Sequence, residues 1–186
     1  MGGILAVDRL VKLAGEMGTA WGSLGIRRLA VVGSTLCFVS ADRNRGWPRR
    51  IAERMLAKLD TDQEQVLRQF ADSMVSAQER TAGKFMAACQ PDFSLEGLKA
   101  GLRYLIETDV SEAWSKTLVP GFTSAGGRIL WLHGSSDAIC PVEAMPEGTE
   151  GVRRVVLEGA GHAPFLTQQV AFYEHLRGFL DDDKDR

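Results

Sequence analysis

Two side chains in this sequence combine residue types and settings suited to acid–base chemistry. Asp137 stands in "HGSSDAICP", and His162 stands in "GAGHAPFL", 25 residues later. Each follows an apolar run, "RILWLHG" for the first and "VRRVVLEG" for the second. In an open α/β sheet, ligands and catalysis gather outside the carboxyl ends of the strands, so both side chains would project at one rim. A carboxylate beside an imidazole fixes the ring's tautomer. It also stabilises the imidazolium that forms when the ring takes a proton from a nucleophile. Taken singly, Asp137 reads as a turn or helix-capping acid, and His162 as a histidine satisfied by backbone. Their order, context and spacing carry the pairing. His133, inside a strand, and His175, on the final helix, have no partner in the sequence and read as structural.

The elements that must position this pair are legible as alternating patterns. "RRLAVVGS" (27–34), "RILWLHGS" (128–135) and "VRRVVLEG" (152–159) are short apolar runs ending in or next to glycine, the look of parallel strands covered on both faces. A helix is predicted over roughly 3–15. Four more helices are predicted between the first two strands. Pro48 opens the first of them, with Ile51, Met55 and Leu59 on one face. Thr61 and Glu64 read as a capping box before Val66, Leu67, Phe70 and Met74. A third helix is predicted through "ERTAGKFMAAC", and the fourth begins at Ser94 as N-cap of "SLEGLKAGLRYLIETD". The last helix is "VAFYEHLRGFL". A parallel sheet interrupted once by an all-helical insertion predicts a core with a lid: residues 1–40 and 122–186 as core, 41–121 as lid.

Composition narrows the function classes. The chain has 186 residues, 45% of them apolar, enough for one domain with a core. A net charge of −2 gives no basic field for nucleic acid and no polybasic patch for a membrane. Cys37, Cys89 and Cys140 are odd in number and widely spaced, matching neither a disulfide framework nor a zinc motif; a reducing cytoplasm is the expected location. Asp8, Arg9 and Lys12 interrupt the apolar start before it could serve as a signal or transmembrane segment. The tail Asp181–Arg186 reads as a solvated end.

"LHGSSDAICP", "VVLEGAGHAPFL" and the closing amphipathic helix resemble the α/β-hydrolase family. "RRLAVVGSTLCFVSADRNRGWP" and "GLKAGLRYLIETDVSEAW" narrow the likeness to its pimeloyl-acyl-carrier-protein methyl ester carboxylesterases. The first of these stretches is similar to that group's strand, turn and Trp-Pro entry to the lid, with Leu36 where proline is usual. The second is similar to its last lid helix. The likeness covers nearly all of the chain but only the later part of the family's domain.

The resemblance implies an incomplete α/β-hydrolase fold, with His162 as triad histidine and Asp137 as its acid. It implies no cofactor and no metal. The family's nucleophile sits on a Gly-x-Ser-x-Gly-Gly turn between a strand and a helix. Aligned so, "MGGILAV" begins one residue after that serine, and Met1 takes the position whose N–H serves the oxyanion hole. Ser23, in "AWGSLG", has Trp21 where an elbow needs glycine, and its strand comes after it. Ser34, in "VGSTL", lacks the second glycine.

The resemblance further assigns Arg80 and Lys84, one helical turn apart and joined by Arg68, to the lid cations that hold an acidic carrier protein. A solvated helix face explains the same charges. Phe70 and Met74 align with the acyl channel, or are plain packing residues. An acyl-carrier-protein-linked ester is the implied substrate. The alternatives are a non-catalytic remnant that binds carrier protein or another partner, and a thioesterase or acyltransferase on the same scaffold. Without the strands that precede it in the family, the first strand would show a bare edge, so self-association is expected.

Overall fold

The structure is a computed structural model and describes residues 1–16, 21–84 and 93–182. Helix α1 (Gly2–Glu16) leads, after a 3₁₀ turn at Trp21–Leu24, into strand β1 (Arg28–Val32). Helices α2 (Arg49–Lys58), α3 (Gln63–Ser73), α4 (Ala77–Thr81) and α5 (Leu95–Glu107) follow. The chain returns through α6 (Ser111–Ala113), a π turn (Trp114–Leu118) and α7 (Val119–Ser124) to β2 (Arg128–Gly134). Strand β3 (Val152–Leu157) and helices α8 (Pro164–Thr167) and α9 (Gln169–Asp181) complete it.

The sheet has order β1-β2-β3, all parallel, with Val31 opposite Trp131 and Leu132 opposite Val155. Successive strand side chains point to opposite faces, and the core divides accordingly. Ile129 and Trp131 face one cluster with Ile4, Val7, Trp114 and Phe122; Leu130 and Leu132 face another with Val155, Leu157, Phe172 and Phe179. Only β2 is covered on both faces. Arg153, Arg154 and Val156 of β3 and Ala30 of β1 are exposed, and each of these two strands has a strand on one side only among the described residues.

Several helix boundaries differ from the pattern reading. The cap of α3 is Asp62, whose side chain accepts from the Gln65 N–H, while the Thr61 hydroxyl turns back to Lys58 O. A full capping box stands instead at Ser76 and Glu79, starting α4 earlier than predicted. That helix stops at Thr81, since Gly83 takes a left-handed φ of 73°. The predicted continuation over 85–89, Cys89 and the tail 183–186 lie outside the described residues. Ser94 caps α5 as expected, accepting from the Gly97 N–H.

The helical return over 111–124 has no counterpart in the sequence reading. Pro120 and Gly121 look like a break, yet the proline sits in the first turn of α7, after a π turn. Pro120 has no N–H to offer Lys116, so the helix widens there rather than ending.

The long helical excursion between β1 and β2 is pinched at its neck. The Val110 N–H donates to Leu36 O at 3.0 Å, and Cys37 pairs with Asp109 in an antiparallel bridge. Trp47, just before α2, stacks on Phe38 and donates its indole N–H to Ile139 O at 2.8 Å.

Candidate active site

Asp137 lies in the turn that follows β2 and is buried. Its Oδ1 accepts from the backbone N–H of Ile139 (2.8 Å) and Cys140 (2.9 Å), which fixes the carboxylate's orientation. Such a turn is what an Asp directly after a strand favours, because its side chain bonds its own backbone two and three residues on. Oδ2 is thereby aimed across the rim. It meets His162 Nδ1 at 2.8 Å.

His162 lies beyond β3, in the loop Gly159–Ala163, and is partly exposed. A carboxylate only accepts, so Nδ1 carries the proton and Nε2 is left with a free lone pair, the arrangement of a general base. The loop reaches Asp137 because two strand ends have no side chains. A Cβ on Gly134 would stand 2.2 Å from Gly161 O. Gly33, at the end of β1 with φ +49°, would place a Cβ 2.6 Å from His162 O and 3.3 Å from Nδ1. The glycines that close each strand pattern thus let β1, β2 and the histidine loop converge.

His133 belongs to this site, a role the sequence hid. Its Nε2–H donates to Cys140 O at 2.6 Å and lies 3.5 Å from Asp137 Oδ2, while Nδ1 accepts from the Trp131 indole at 3.4 Å. Burial lowers its pKa, opposed by the Cys140 carbonyl and by Asp137. It is a neutral brace under the Asp137 turn. The spacing His133–Asp137–Cys140 within one strand-loop unit was the available signal.

Cys140 is buried, and burial pushes its thiol up to about 12. Asp137, Cys140 and His162 hold potential ligand atoms within 4.8 Å of one another. In this arrangement the imidazole and the carboxylate bond each other, and Asp137 Oδ1 is taken by two backbone N–H groups.

The remaining predicted residues are not gathered at this pair. The Met1 amine lies near enough to interact electrostatically with Cys140, and burial lowers its pKa, so the start of α1 faces this part of the rim. The Met1 side chain points away to Gly101 of α5 and is largely exposed. Phe70 lines a cavity of about 340 Å³ between α2 and α3 with Trp47, Ile51, Met55 and Val66, rimmed by Arg54 and Lys58. Met74 does not line it; it packs on the main core, and its carbonyl accepts the His162 N–H at 2.8 Å.

Arg80 and Lys84 do not share a helix turn, since α4 ends at Thr81. The Arg80 guanidinium bonds Asp72 O, and Arg68 pairs with Glu64. Ser34 is buried, directs its hydroxyl to Thr35 O and packs on Gly3; Ser23 sits in the 3₁₀ turn ahead of β1. Among the described residues no serine hydroxyl bonds the His162 ring.

No protein-family model matches the chain. It is 28% identical over 169 residues to a pimeloyl-[acyl-carrier protein] methyl ester esterase of Aeromonas hydrophila, covering 83% of this chain and 61% of that protein. Among solved structures it is similar to an esterase from Exiguobacterium antarcticum (TM-score 0.62, 23% identity, 82% of this chain and 56% of that one). It is also similar to a bromoperoxidase from Bacillus anthracis (TM-score 0.67, 18% identity, 93% and 63%). The chain spans about 61% of the length of the first of these relatives. Three parallel strands flanked by helices, matched to these structures, are part of the α/β-hydrolase fold, and the curated relatives of this chain are pimeloyl-[acyl-carrier protein] methyl ester esterases.

Proposed function

We propose that this chain supplies the base, the acid and the helical lid of a carboxylic ester hydrolase, with His162 as general base and Asp137 as its orienting acid. The single observation behind this is the 2.8 Å contact between Asp137 Oδ2 and His162 Nδ1 at the carboxyl ends of adjacent strands. In the reaction, a hydroxyl held near Nε2 gives its proton to the ring as it attacks the ester carbonyl, and the ring returns that proton to the departing alcohol. Water then repeats the sequence on the acyl intermediate. The substrate class follows the relatives' names: a methyl ester of an acyl chain carried on acyl carrier protein. Residues 41–121 form the lid, with Phe70 in the apolar cavity on the acyl side and Arg80 and Lys84 facing the carrier. No described helix is long and apolar enough to cross a membrane, and we place the reaction in the cytoplasm.

No described serine fits the attacking hydroxyl, so these 186 residues alone are expected not to turn over ester. A nitrophenyl ester assay on the chain alone, and on the chain joined to a strand-Gly-x-Ser segment ahead of Met1, tests this. The expected result is no turnover alone and turnover in the joined form that His162→Ala and Asp137→Asn each reduce by about 10⁴-fold. Turnover by the 186 residues that vanishes in His162→Ala would place the nucleophile inside them. Turnover indifferent to His162 would end the base assignment.

A further inference from the structure

We infer that Glu79 is a positioning residue for His162, a buried carboxylate through which helix α4 holds the histidine loop. The inference rests on the reading of His162 as the base. Glu79 is only 3% exposed, an expensive place for a carboxylate. Its partners are neutral donors. Oε2 accepts from the Ser76 N–H at 2.9 Å and the Gly161 N–H at 3.0 Å, and Oε1 accepts from the Thr167 hydroxyl.

The Ser76 contact is half of an ordinary capping box. Such a box works on a solvated helix and needs no burial. The other two contacts reach 82 and 88 residues along the chain, to either side of His162. Neighbouring bonds repeat the pattern. The Ser76 hydroxyl, while capping α4, donates to Gly159 O at 2.7 Å. The His162 N–H itself donates to Met74 O at 2.8 Å. Gly161 has no room for a side chain, because a Cβ there would stand 2.5 Å from Met74 O.

Segment 74–79 therefore fixes the backbone at 159, 161 and 162 and the hydroxyl of Thr167, while Asp137 fixes the ring. A base displaced by about 1 Å can lose on the order of 10²-fold in rate. Removing Glu79 would strand two buried N–H groups, and the loop would open to satisfy the one at Gly161 with water. Glutamine can replace the carboxylate. Its oxygen accepts the two N–H bonds, and its amide donates to Thr167 Oγ, whose own proton goes to Ala163 O, already 3.2 Å away.

The experiment is hydrogen–deuterium exchange at the Gly161 and His162 amides, with the His162 Nδ1–H proton resonance, in the full chain and in Glu79→Ala, Glu79→Gln and Thr167→Val. Glu79→Ala should speed exchange at both amides about tenfold relative to β2 amides and broaden the ring resonance. Glu79→Gln should restore both. Unchanged exchange in Glu79→Ala, or glutamine behaving as alanine, overturns the inference. If Glu79→Ala fails to fold, Thr167→Val removes one bond only, and faster exchange confined to 161–167 is expected. No change there also overturns it. These readouts need no turnover, so they stand apart from the ester assay: indifference to His162 in that assay ends the base assignment and leaves the measured clamp intact.

Discussion

Between Trp131 and Cys140, His133 has little choice of proton. Nε2 must donate to a carbonyl and Nδ1 must accept from an indole, so the neutral ring is the one that fits. Burial lowers its pKa from the ordinary 6.5. The unfolded chain then takes up a proton first as pH falls, and stability declines below about 6.5, where the unfolded chain binds more protons than the folded one. Urea midpoints measured from pH 7.5 down to 5 should fall, and the fall should be shallower in His133→Asn. An equal acid limb in both proteins would place that sensitivity elsewhere. His133 was hidden in the sequence because a histidine within an apolar strand does not announce its partners: one precedes it on the strand and the other waits on the next loop. Asp137 and His162 were legible because each follows a strand directly, where α/β folds put their chemistry.

At the level of elements, legibility followed how local the determining force was. The limits of α1, β1, α2, α5, β2 and β3 came within a residue or two of the pattern, since apolar spacing and caps are written in adjacent residues. The Ser76–Glu79 box is equally local, in "SAQE", and the pattern Thr61–Glu64 is the same motif without the cap, because Asp62 takes that role. The return helix over 111–124 was out of reach. Pro120 and Gly121 argue against it locally, and it holds through packing: Trp114 meets Trp131 edge to face at 5.1 Å, and Leu118 and Phe122 are fully buried. The split between local and tertiary control is measurable. Ser94→Ala removes a side-chain cap with little packing around it and should cost about 1 kcal/mol in denaturant unfolding. A loss within error would mean that α5 is held by its tertiary packing, Ile106 in the main core and its contacts with α2 included.

For the molecule as a whole, the sheet is unevenly protected. Strand β1 pairs only with β2 among the described residues, so one row of its backbone groups has no strand beside it. Apolar side chains also stand exposed on elements around the sheet: Leu5 and Leu13 on α1, Val156 on β3, and Val170, Tyr173 and Leu180 on α9. An unpaired edge near apolar surface invites another strand. The 186-residue chain is expected to associate with itself, with a mass in light scattering that rises with concentration. A single monomeric species across a hundredfold range of concentration would refute this.

The neck at Leu36 and Val110 carries a consequence for how such a molecule can vary. The polypeptide leaves the sheet and comes back through almost the same doorway, latched by one amide and one short bridge. The strand pairing itself, β1 to β2 and β2 to β3, takes no bond from what hangs beyond that doorway, so exchanging the appendage is expected to keep strand order. A transplant of this kind would keep the architecture and still lose the second tether, the one running from Met74, Ser76 and Glu79 to the histidine's loop. Recipients should fold well and leave their imidazole adrift, unless the new appendage brings its own buried acid.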